Sequence, residues 1–425
     1  MHVITTRWNW NTWVAAGLLG ALGWSNAARA DAVTDWHKIA ETTLCTGPAT
    51  PPRSGPVPLL DMAIVQAAVY DAVQNIGGKY KPYHVTIPGA SGSPEAATAK
   101  AAHDVLVTFY PNKAEELGKT YKEYLAKKGL KEDDPGVAVG QKTAAETIAL
   151  RKDDGRVPNP APPPWMGDNA VGKWRPTPGR AKIEDGMAAP WLGEVKPFVV
   201  QSGKQFQPAK GPPAMTSDEY TKDYNETKAV GSKNSTTRTP EQTELAAFWS
   251  TDTPAFCLAS QGVIREPVEA HVKDINESSR AIVLASLAVA DAAITVWYTK
   301  RNNTFWRPIT AIHEADKDGN PATEPDPSWQ PYMLTPPYSD WTSGANGLGG
   351  AISRSHTLFF GKDDVPFTIS NGAKTRTYKK FSDFAQDIVD VRIYQGIHFR
   401  FADTAGREQG EKVADYVFKN VGTAK

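Results

Sequence analysis

The stretch SRAIVLASLAVADAAITVWY, residues 279–298, decides the fold of this 425-residue chain. It is strongly apolar and rich in small side chains, which favours a helix that is buried on all sides. It does not reach the ~18 uncharged apolar residues that a transmembrane helix needs. We therefore predict that it forms the central core helix of a helical fold, with Lys300 at its C-terminal end.

Helical patterns lie on both sides of this core helix. Apolar residues recur there at spacings of three and four, and several segments begin or end at capping residues. The predicted helices cover 34–43, 59–74, 93–109, 112–128, 134–151, 216–230, 239–249, two segments within 264–299, 344–360, 378–396 and 406–420. Strong period-two alternation and a βαβ rhythm are absent from the sequence. We predict an all-α fold of two packed helical bundles with long Pro/Gly-rich connections.

The connection 153–213 separates the two groups of helices. It is rich in proline, glycine and tryptophan and has little periodicity. Its aromatic residues favour an ordered, packed loop, and a flexible linker is the alternative. The resulting division is a segment 1–30, an N-terminal helical region with its long connecting loop at 31–213, and a C-terminal helical bundle at 214–425.

The segment 1–30 has the pattern of a secretory signal peptide. Arg7 supplies a positive start, residues 13–24 form a short apolar run, and Ala28-Arg29-Ala30 is a small-x-small cleavage site. A membrane anchor is the alternative, but a stop-transfer run does not follow in the sequence. We expect cleavage, secreted or periplasmic localisation, and a mature protein that is not held by a membrane.

The charge balance and the cysteines narrow the function further. The chain has 47 Lys plus Arg and 47 Asp plus Glu, a net charge of zero, which argues against a nucleic-acid partner bound by bulk charge. Its only two cysteines, Cys45 and Cys257, are too few for a cysteine metal site. Export permits a disulfide between them, and two free buried thiols are the alternative. The oligomeric state is left open.

Three stretches carry the residue types that hold a tetrahedral oxyanion. The first, at 297–308, contains Lys300 and Arg307-Pro308; the second is Thr342-Ser343-Gly344-Ala345-Asn346; the third runs from Arg392 to His398. Arginine offers a planar fork and lysine a point charge for such a group. A glycine amide at a helix start also favours an anion. Each stretch is common by itself, and only the three together indicate a site.

Together these stretches resemble the superfamily of vanadium-dependent haloperoxidases and type 2 phosphatidic acid phosphatases. Its motifs are Lys-x6-Arg-Pro, Pro-Ser-Gly-His and Ser-Arg-x5-His-x3-Asp. The first is complete here, and the surrounding sequences FWRPITAI (305–312), TPPY (335–338) and GIHFRF (396–401) resemble its bacterial haloperoxidase-like branch. The resemblance implies a helical fold of two four-helix bundles.

The resemblance also implies roles for individual residues. Vanadate, or phosphate in the same site, would be held by Lys300, Arg307, Ser343, Gly344 and Arg392. His398 would be the catalytic residue, as the ligand of vanadium or as the nucleophile on phosphorus. The halide or substrate pocket would contain Trp297 and Tyr338, for which core packing is the alternative interpretation.

This chain departs from the motifs at positions that move protons. Ala345 replaces the histidine of the second motif, which is the acid–base group in the superfamily. Val391 replaces the serine of the third motif, and Ala402 stands where an aspartate orients the imidazole, with Asp403 one place later. A lost general acid costs on the order of 10²–10⁴ in rate.

Other residues could replace the lost histidine. His356 would lie ~16 Å further along a helix from Ala345, too far to act. His313 and Asp340 are closer to the motifs. Either could reach the pocket, and the preferred interpretation of each is a solvated loop residue. Asn346 could donate a hydrogen bond but could not shuttle a proton.

Three functions follow as expectations. The first is an exported vanadium-dependent haloperoxidase-like enzyme that oxidises halide with hydrogen peroxide and is impaired by the loss of the second-motif histidine. The second is an acid phosphatase that cleaves phosphomonoesters through a phosphohistidine. The third is a non-catalytic oxyanion-binding protein.

Overall fold

The computed structural model describes residues 31–47, 53–179, 181–250 and 253–425. The predicted signal peptide at 1–30 lies outside the described residues. The described chain forms thirteen α-helices and one two-stranded hairpin. They are α1 Ala32–Thr46, α2 Val57–Gly77, α3 Pro94–Phe109, α4 Ala114–Lys128, α5 Pro135–Arg151, α6 Asp218–Val230, α7 Pro240–Phe248, α8 Thr253–His271, α9 Ile275–Asn302, α10 Pro308–His313, α11 Gly344–Phe360, β1 Phe367–Ser370, β2 Thr375–Tyr378, α12 Phe381–Tyr394 and α13 Arg400–Asn420.

The apolar stretch 279–298 lies within α9, which is the central helix of the fold. This helix packs against α2 from the N-terminal half and against α11 and α13 from the C-terminal half. Contrary to the expectation from the sequence, the length and composition of the whole helix would allow it to cross a bilayer, but 94% of its most apolar window is buried inside the fold. The all-α prediction and the prediction of a core helix are both confirmed.

Two buried aspartates hold long connections against the long helices. Asp71 of α2 accepts the backbone N–H groups of Tyr83, His84 and Val85 at 2.6–2.9 Å. Asp291 of α9 accepts those of three consecutive residues, 198–200, at 2.7–2.9 Å. Burial raises the pKa of Asp71 to about 7 and that of Asp291 to about 6. These contacts satisfy backbone donors that helices cannot pair.

The connection 153–213 is an ordered loop where the structure describes it. Trp174 is fully buried and stacks on Trp165, with their ring centroids 5.4 Å apart. Short 3₁₀ turns occur at Ile183–Asp185 and Leu192–Glu194. Gly193 approaches the backbone of Tyr298 so closely that a Cβ would collide with it. The packed interpretation, rather than a flexible linker, is therefore confirmed for the described residues.

Several local predictions were wrong. The hairpin β1–β2 pairs Phe367 with Tyr378. It was missed because each strand has only four residues and only β1 alternates between buried and exposed residues. The helix α10 was missed because it is only six residues long. The last helix begins at Arg400 instead of 406, and α8 begins at Thr253 instead of 264.

Cys45 and Cys257 form a disulfide across 212 residues of sequence, which decides between the two alternatives. The bond joins α1 to α8, and these two helices also pack along each other. The covalent link restricts the unfolded chain because the loop it closes is long.

Replacing both cysteines by serine is expected to lower the free energy of unfolding by about 2–5 kcal/mol. Urea unfolding of the oxidised wild type and the double variant measures this difference. Adding a reductant should move the wild type toward the variant and leave the variant unchanged. An unchanged unfolding midpoint in the double variant would contradict the expectation.

Candidate oxyanion-binding site

The first motif places two cations at the end of α9 and the start of α10. Lys300 lies in the last turn of α9, and Arg307 is the residue before Pro308, the first residue of α10. Both side chains are fully buried. Lys300 Nζ donates to the carbonyl oxygens of Ser339 and Asp340 at 2.6 and 3.3 Å. Lys300 is therefore held by the loop 338–340, and Arg307 contacts the same loop through Tyr338.

The aromatic ring of Tyr338 lies beside both cations. The ring centroid is 4.9 Å from Lys300 Nζ and 4.8 Å from Arg307 Cζ. Arg307 Nε also donates to the carbonyl oxygen of Tyr338 at 2.6 Å. Trp297 lies 5.2 Å from the Tyr338 ring and donates its indole N–H to Ala188 O. The structure thus brings both predicted pocket aromatics next to the cations.

His398 contacts Arg307 with one ring nitrogen and Asp340 with the other. Arg307 Nη1 lies 2.9 Å from Nε2 of His398, and Nδ1 lies 2.7 Å from Oδ1 of Asp340. The Nδ1–Oδ1 contact is short, although the N–H direction is not aligned with the oxygen as in a hydrogen bond. A carboxylate on Nδ1 and a cation on Nε2 favour the tautomer with the proton on Nδ1. The lone pair of Nε2 then faces the cations.

The interpretation of Asp340 as a solvated loop residue was wrong. The side chain is fully buried, and burial raises its pKa to about 7. Its position is fixed by the backbone: Asp340 N–H donates to Phe305 O at 3.1 Å, and Phe305 N–H donates to Ser339 Oγ at 2.9 Å. These hydrogen bonds join the loop before α11 to the segment before α10. Sequence reasoning missed the contact because it depends on two loops meeting in space.

Ser343 and Gly344 lie at the N-terminus of α11. Ser343 is the N-cap residue, and its N–H donates to Ala402 O at 2.9 Å. A Cβ on Gly344 would lie 3.1 Å from the Trp297 ring and 3.7 Å from Lys300 Cε. Glycines of α11 and α13 let the two helices approach until their backbones touch. The second motif therefore meets the first at a helix N-terminus, where an anion is favoured.

Asp403 contacts residues of the second motif and does not contact the imidazole of His398. Its Oδ1 accepts from Asn346 Nδ2 at 2.7 Å, and the Ser343 hydroxyl also faces it. Asn346 Nδ2 in addition lies 3.2 Å from Ser343 Oγ. Burial raises the pKa of Asp403 well above its usual range. The carboxylate one place after Ala402 thus lies beside Ser343, while Asp340 lies against His398.

Arg392 reaches the same region from the last turn of α12. Its Nη1 donates to Gln395 Oε1 at 2.8 Å, and its Cζ lies 4.7 Å from the Phe256 ring. Gln395 in turn donates to Ala246 O and Trp249 O at the end of α7. Neither Gln395 nor Phe256 was predicted, because nothing in the motif spacing marks them.

The buried groups leave the site electropositive. Burial and the neighbouring Arg307 hold the pKa of Lys300 well below its usual range. Burial and the three cations likewise lower the pKa of His398 well below its usual range. Burial and mutual repulsion disfavour the charged forms of these groups. A nearby anion would stabilise the charged forms. The residues therefore fit a tetrahedral oxyanion such as vanadate or phosphate.

Two other histidines lie outside this site. His313, the last residue of α10, is half-buried, and its Nε2 lies 2.7 Å from Trp329 O. His356 of α11 is buried against Phe381, and its Nε2 lies 3.0 Å from Val263 O. Neither lines the cavity described below, so neither replaces the missing imidazole at Ala345.

A cavity of about 280 Å³ opens beside the cations. Its lining includes Gly344, Ala345, Arg392 and His398 from the motifs, together with both pocket aromatics. Most of the remaining lining residues are aliphatic or proline residues. The helix α8 contributes Phe256, Cys257 and the polar Ser260 and Gln261. Ala345 thus points its methyl group into space that the chain leaves open next to His398.

Comparisons with known proteins agree with the fold and the motifs. A model of the VCPO second helical-bundle domain matches residues 280–424. The vanadium chloroperoxidase of Curvularia inaequalis is 24% identical over 331 aligned residues, which cover 55% of this chain and 53% of that protein. The chain thus spans about half the length of this curated relative.

Solved structures share the fold over nearly the whole chain. A bacterial vanadium-dependent iodoperoxidase has a TM-score of 0.76 and 24% identity, and the match covers 92% of this chain and 95% of that one. The holo form of a bacterial vanadium-dependent chloroperoxidase has a TM-score of 0.70 and 17% identity, covering 93% and 98%. The domain match and these relatives support the resemblance of this chain to the superfamily of the vanadium-dependent haloperoxidases.

Proposed function

We propose that this chain is an exported vanadium-dependent haloperoxidase-like enzyme that binds vanadate and oxidises halide with hydrogen peroxide. The observation that supports it most is the meeting of Lys300, Arg307, Arg392 and His398 beside the N-terminus of α11. Bound vanadate would supply a Lewis acid that activates peroxide without a change of its own oxidation state. The export part of the proposal rests on the signal-peptide pattern at residues 1–30.

The chain's own residues would divide the work as follows. Lys300, Arg307 and Arg392 would balance the charge of the oxyanion, and the N–H of Gly344 with the Ser343 hydroxyl would donate to it. His398 would present Nε2, while Asp340 keeps the proton on Nδ1. Trp297 and Tyr338 would form the wall at which halide or substrate approaches. With alanine at 345, the known acid–base position contributes no proton, which predicts a slow enzyme.

Two assays on the full chain test this proposal. Vanadate is titrated by calorimetry, and the vanadate-loaded protein is then assayed for peroxide-dependent oxidation of iodide and bromide. We expect saturable binding and slow, vanadate-dependent halide oxidation. If p-nitrophenyl phosphate is hydrolysed by the metal-free protein while halide oxidation stays at background, the phosphatase alternative replaces the proposal. Binding with no turnover in either assay would instead leave an oxyanion-binding protein.

The contact between Asp340 and His398 leads us to expect that Asp340 supports vanadate binding. Replacing Asp340 by alanine is expected to weaken vanadate binding by about 10–100-fold, because a ligand that loses its supporting partner loses orientation and tautomer. Asp340→Asn keeps an oxygen that can face Nδ1 and should lose less. Calorimetric titration measures the affinity, and ¹⁵N shifts of the His398 ring report the tautomer. Equal affinity and an unchanged tautomer in Asp340→Ala would remove Asp340 from the site.

A further inference from the structure

Gln395 lies between two members of the oxyanion site in the sequence. It is the C-cap residue of α12, three residues after Arg392 and three before His398. The residue is fully buried. Its backbone is held on both sides, because its N–H donates to Val391 O at 2.9 Å and its carbonyl oxygen accepts from Met333 N–H at 3.0 Å. Residues three apart on a helix lie on the same face, so Gln395 can reach Arg392.

The end of α7 decides which atom of the Gln395 amide faces Arg392. Gln395 Nε2 donates to Ala246 O at 2.9 Å and to Trp249 O at 2.7 Å. Carbonyl oxygens can only accept, so the amide nitrogen must face these two and both of its N–H groups are used. The amide oxygen is left for Arg392, whose Nη1 donates to it at 2.8 Å.

Arg392, Gln395, Trp249 and Phe256 form a closed ring of contacts. The Trp249 ring packs on the Phe256 ring with centroids 5.9 Å apart and an angle of 62° between the planes. Phe256, in the first turn of α8, lies 4.7 Å from Arg392 Cζ. The guanidinium is thus held at one edge by Gln395 and on one face by Phe256, and Trp249 contacts both. A planar fork that is held in this way keeps a single orientation.

The neutral amide suits this place better than a carboxylate would. A carboxylate at position 395 would have no N–H group for Ala246 O and Trp249 O, and it would place a negative charge on Arg392. The amide oxygen orients the guanidinium without neutralising it.

We propose that Gln395 is a positioning residue that holds the Arg392 guanidinium in the orientation in which it binds the oxyanion. The oxyanion affinity then depends on the end of α7, a helix that contributes none of the motif residues. The identity of the anion rests on the proposed function, whereas the orientation of Arg392 is a property of the ligand-free chain.

Gln395→Met tests the proposal, because methionine keeps most of the side-chain volume and removes the amide. Orthovanadate and inorganic phosphate are titrated by calorimetry into the full chain. We expect the variant to bind both anions about 10–100-fold more weakly, the loss that is typical when a ligand loses its supporting partner. Equal affinity in the wild type and the variant would overturn the proposal.

Gln74→Met is the matched control. Gln74 is also fully buried, donates through Nε2 to Asn276 O and Ser279 Oγ, and accepts from Tyr80 N–H. Asn276 lies in the first turn of α9, ~36 Å along the helix axis from Lys300. The control should lose stability, but its anion affinity should stay within about twofold of the wild type, because distant sites act independently.

A double-variant cycle separates positioning from a general effect on the fold. If Gln395 acts through Arg392, adding Gln395→Met to Arg392→Met should change the orthovanadate affinity by less than about twofold. A loss as large in this background as in the wild type would show that Gln395 acts on the fold and would overturn the proposal.

The order of the Arg392 side chain in the ligand-free protein tests positioning without an anion. It is measured by ¹⁵N relaxation of Arg392 Nε, which should be rigid in the wild type and in Gln74→Met and mobile in Gln395→Met. If the wild type binds neither anion but shows this difference, the proposed function fails and the positioning role stands. A mobile Arg392 in the wild type, or equal order in all three proteins, overturns the positioning role.

Discussion

Ala345→His is expected to raise the rate of vanadate-dependent halide oxidation by about 10²–10⁴-fold. Residue 345 lies in the first turn of α11, and its side chain lines the same cavity as Arg392 and His398. An imidazole placed there would be able to give and take the protons that alanine cannot. The cavity has room for the ring, so the substitution does not have to displace the core. Steady-state iodide oxidation at saturating vanadate and peroxide measures the gain.

A phenylalanine at the same position is the control for this gain. Ala345→Phe fills a similar volume and carries no titratable proton, so it should leave the rate at or below that of the wild type. A gain in both variants would mean that filling the cavity, and not proton transfer, limits the rate. If the histidine variant stays at background while its vanadate affinity equals that of the wild type, the haloperoxidase proposal is wrong.

Lys300→Met is expected to weaken vanadate or phosphate binding by about 2–5 kcal/mol. The buried lysine has two carbonyl oxygens as its hydrogen-bond partners, and burial lowers its pKa. Its charge is therefore poorly balanced until an anion arrives. Methionine keeps most of the apolar stem, so the ligand-free variant should be at least as stable as the wild type. Calorimetric titration and thermal unfolding without oxyanion measure the two effects.

Arg301→Met provides the matched control for Lys300→Met. Arg301 is the next residue on α9, but it is exposed and lies over the Trp165 ring at 4.0 Å. Removing this charge changes the net charge of the chain equally and should leave the oxyanion affinity within about twofold, because exposed charges are screened by solvent. Equal losses in both variants would show that bulk charge, and not the buried site, attracts the anion. Unchanged affinity in Lys300→Met would place the anion elsewhere.

The fold could be predicted from the sequence because its helices are long and locally specified. The limits of α11 at Gly344 and Phe360 agree with the prediction, since the segment lies between a serine N-cap and Gly361 and contains no proline. The short helix α10 and the hairpin at 367–378 could not be found in the same way. Their few residues gain stability from the core they pack on and show little periodicity of their own.

The sequence predicted the residues that would hold the oxyanion, but it did not predict the residues that support them. Lys300, Arg307, Ser343, Arg392 and His398 were named from spacing, and the structure brings them to one end of the helical core. The partners of the imidazole and of the serine were not predicted. Asp403 stands one place after the position that the motif assigns to an aspartate, and Asp340 has no place in the motifs.

The sequence by itself determined a helical chain built around residues 279–298 and the cationic groups of an oxyanion site. The helices follow from periodicity and capping, which act over a few neighbouring residues, and the site residues follow from the resemblance of three short motifs to a known superfamily. Only the tertiary structure decided that Asp340 faces His398, that Cys45 bonds Cys257, and that Ala345 opens onto a cavity. Each of these depends on segments brought together by burial of the whole core, and local sequence carries no signal for such distant contacts.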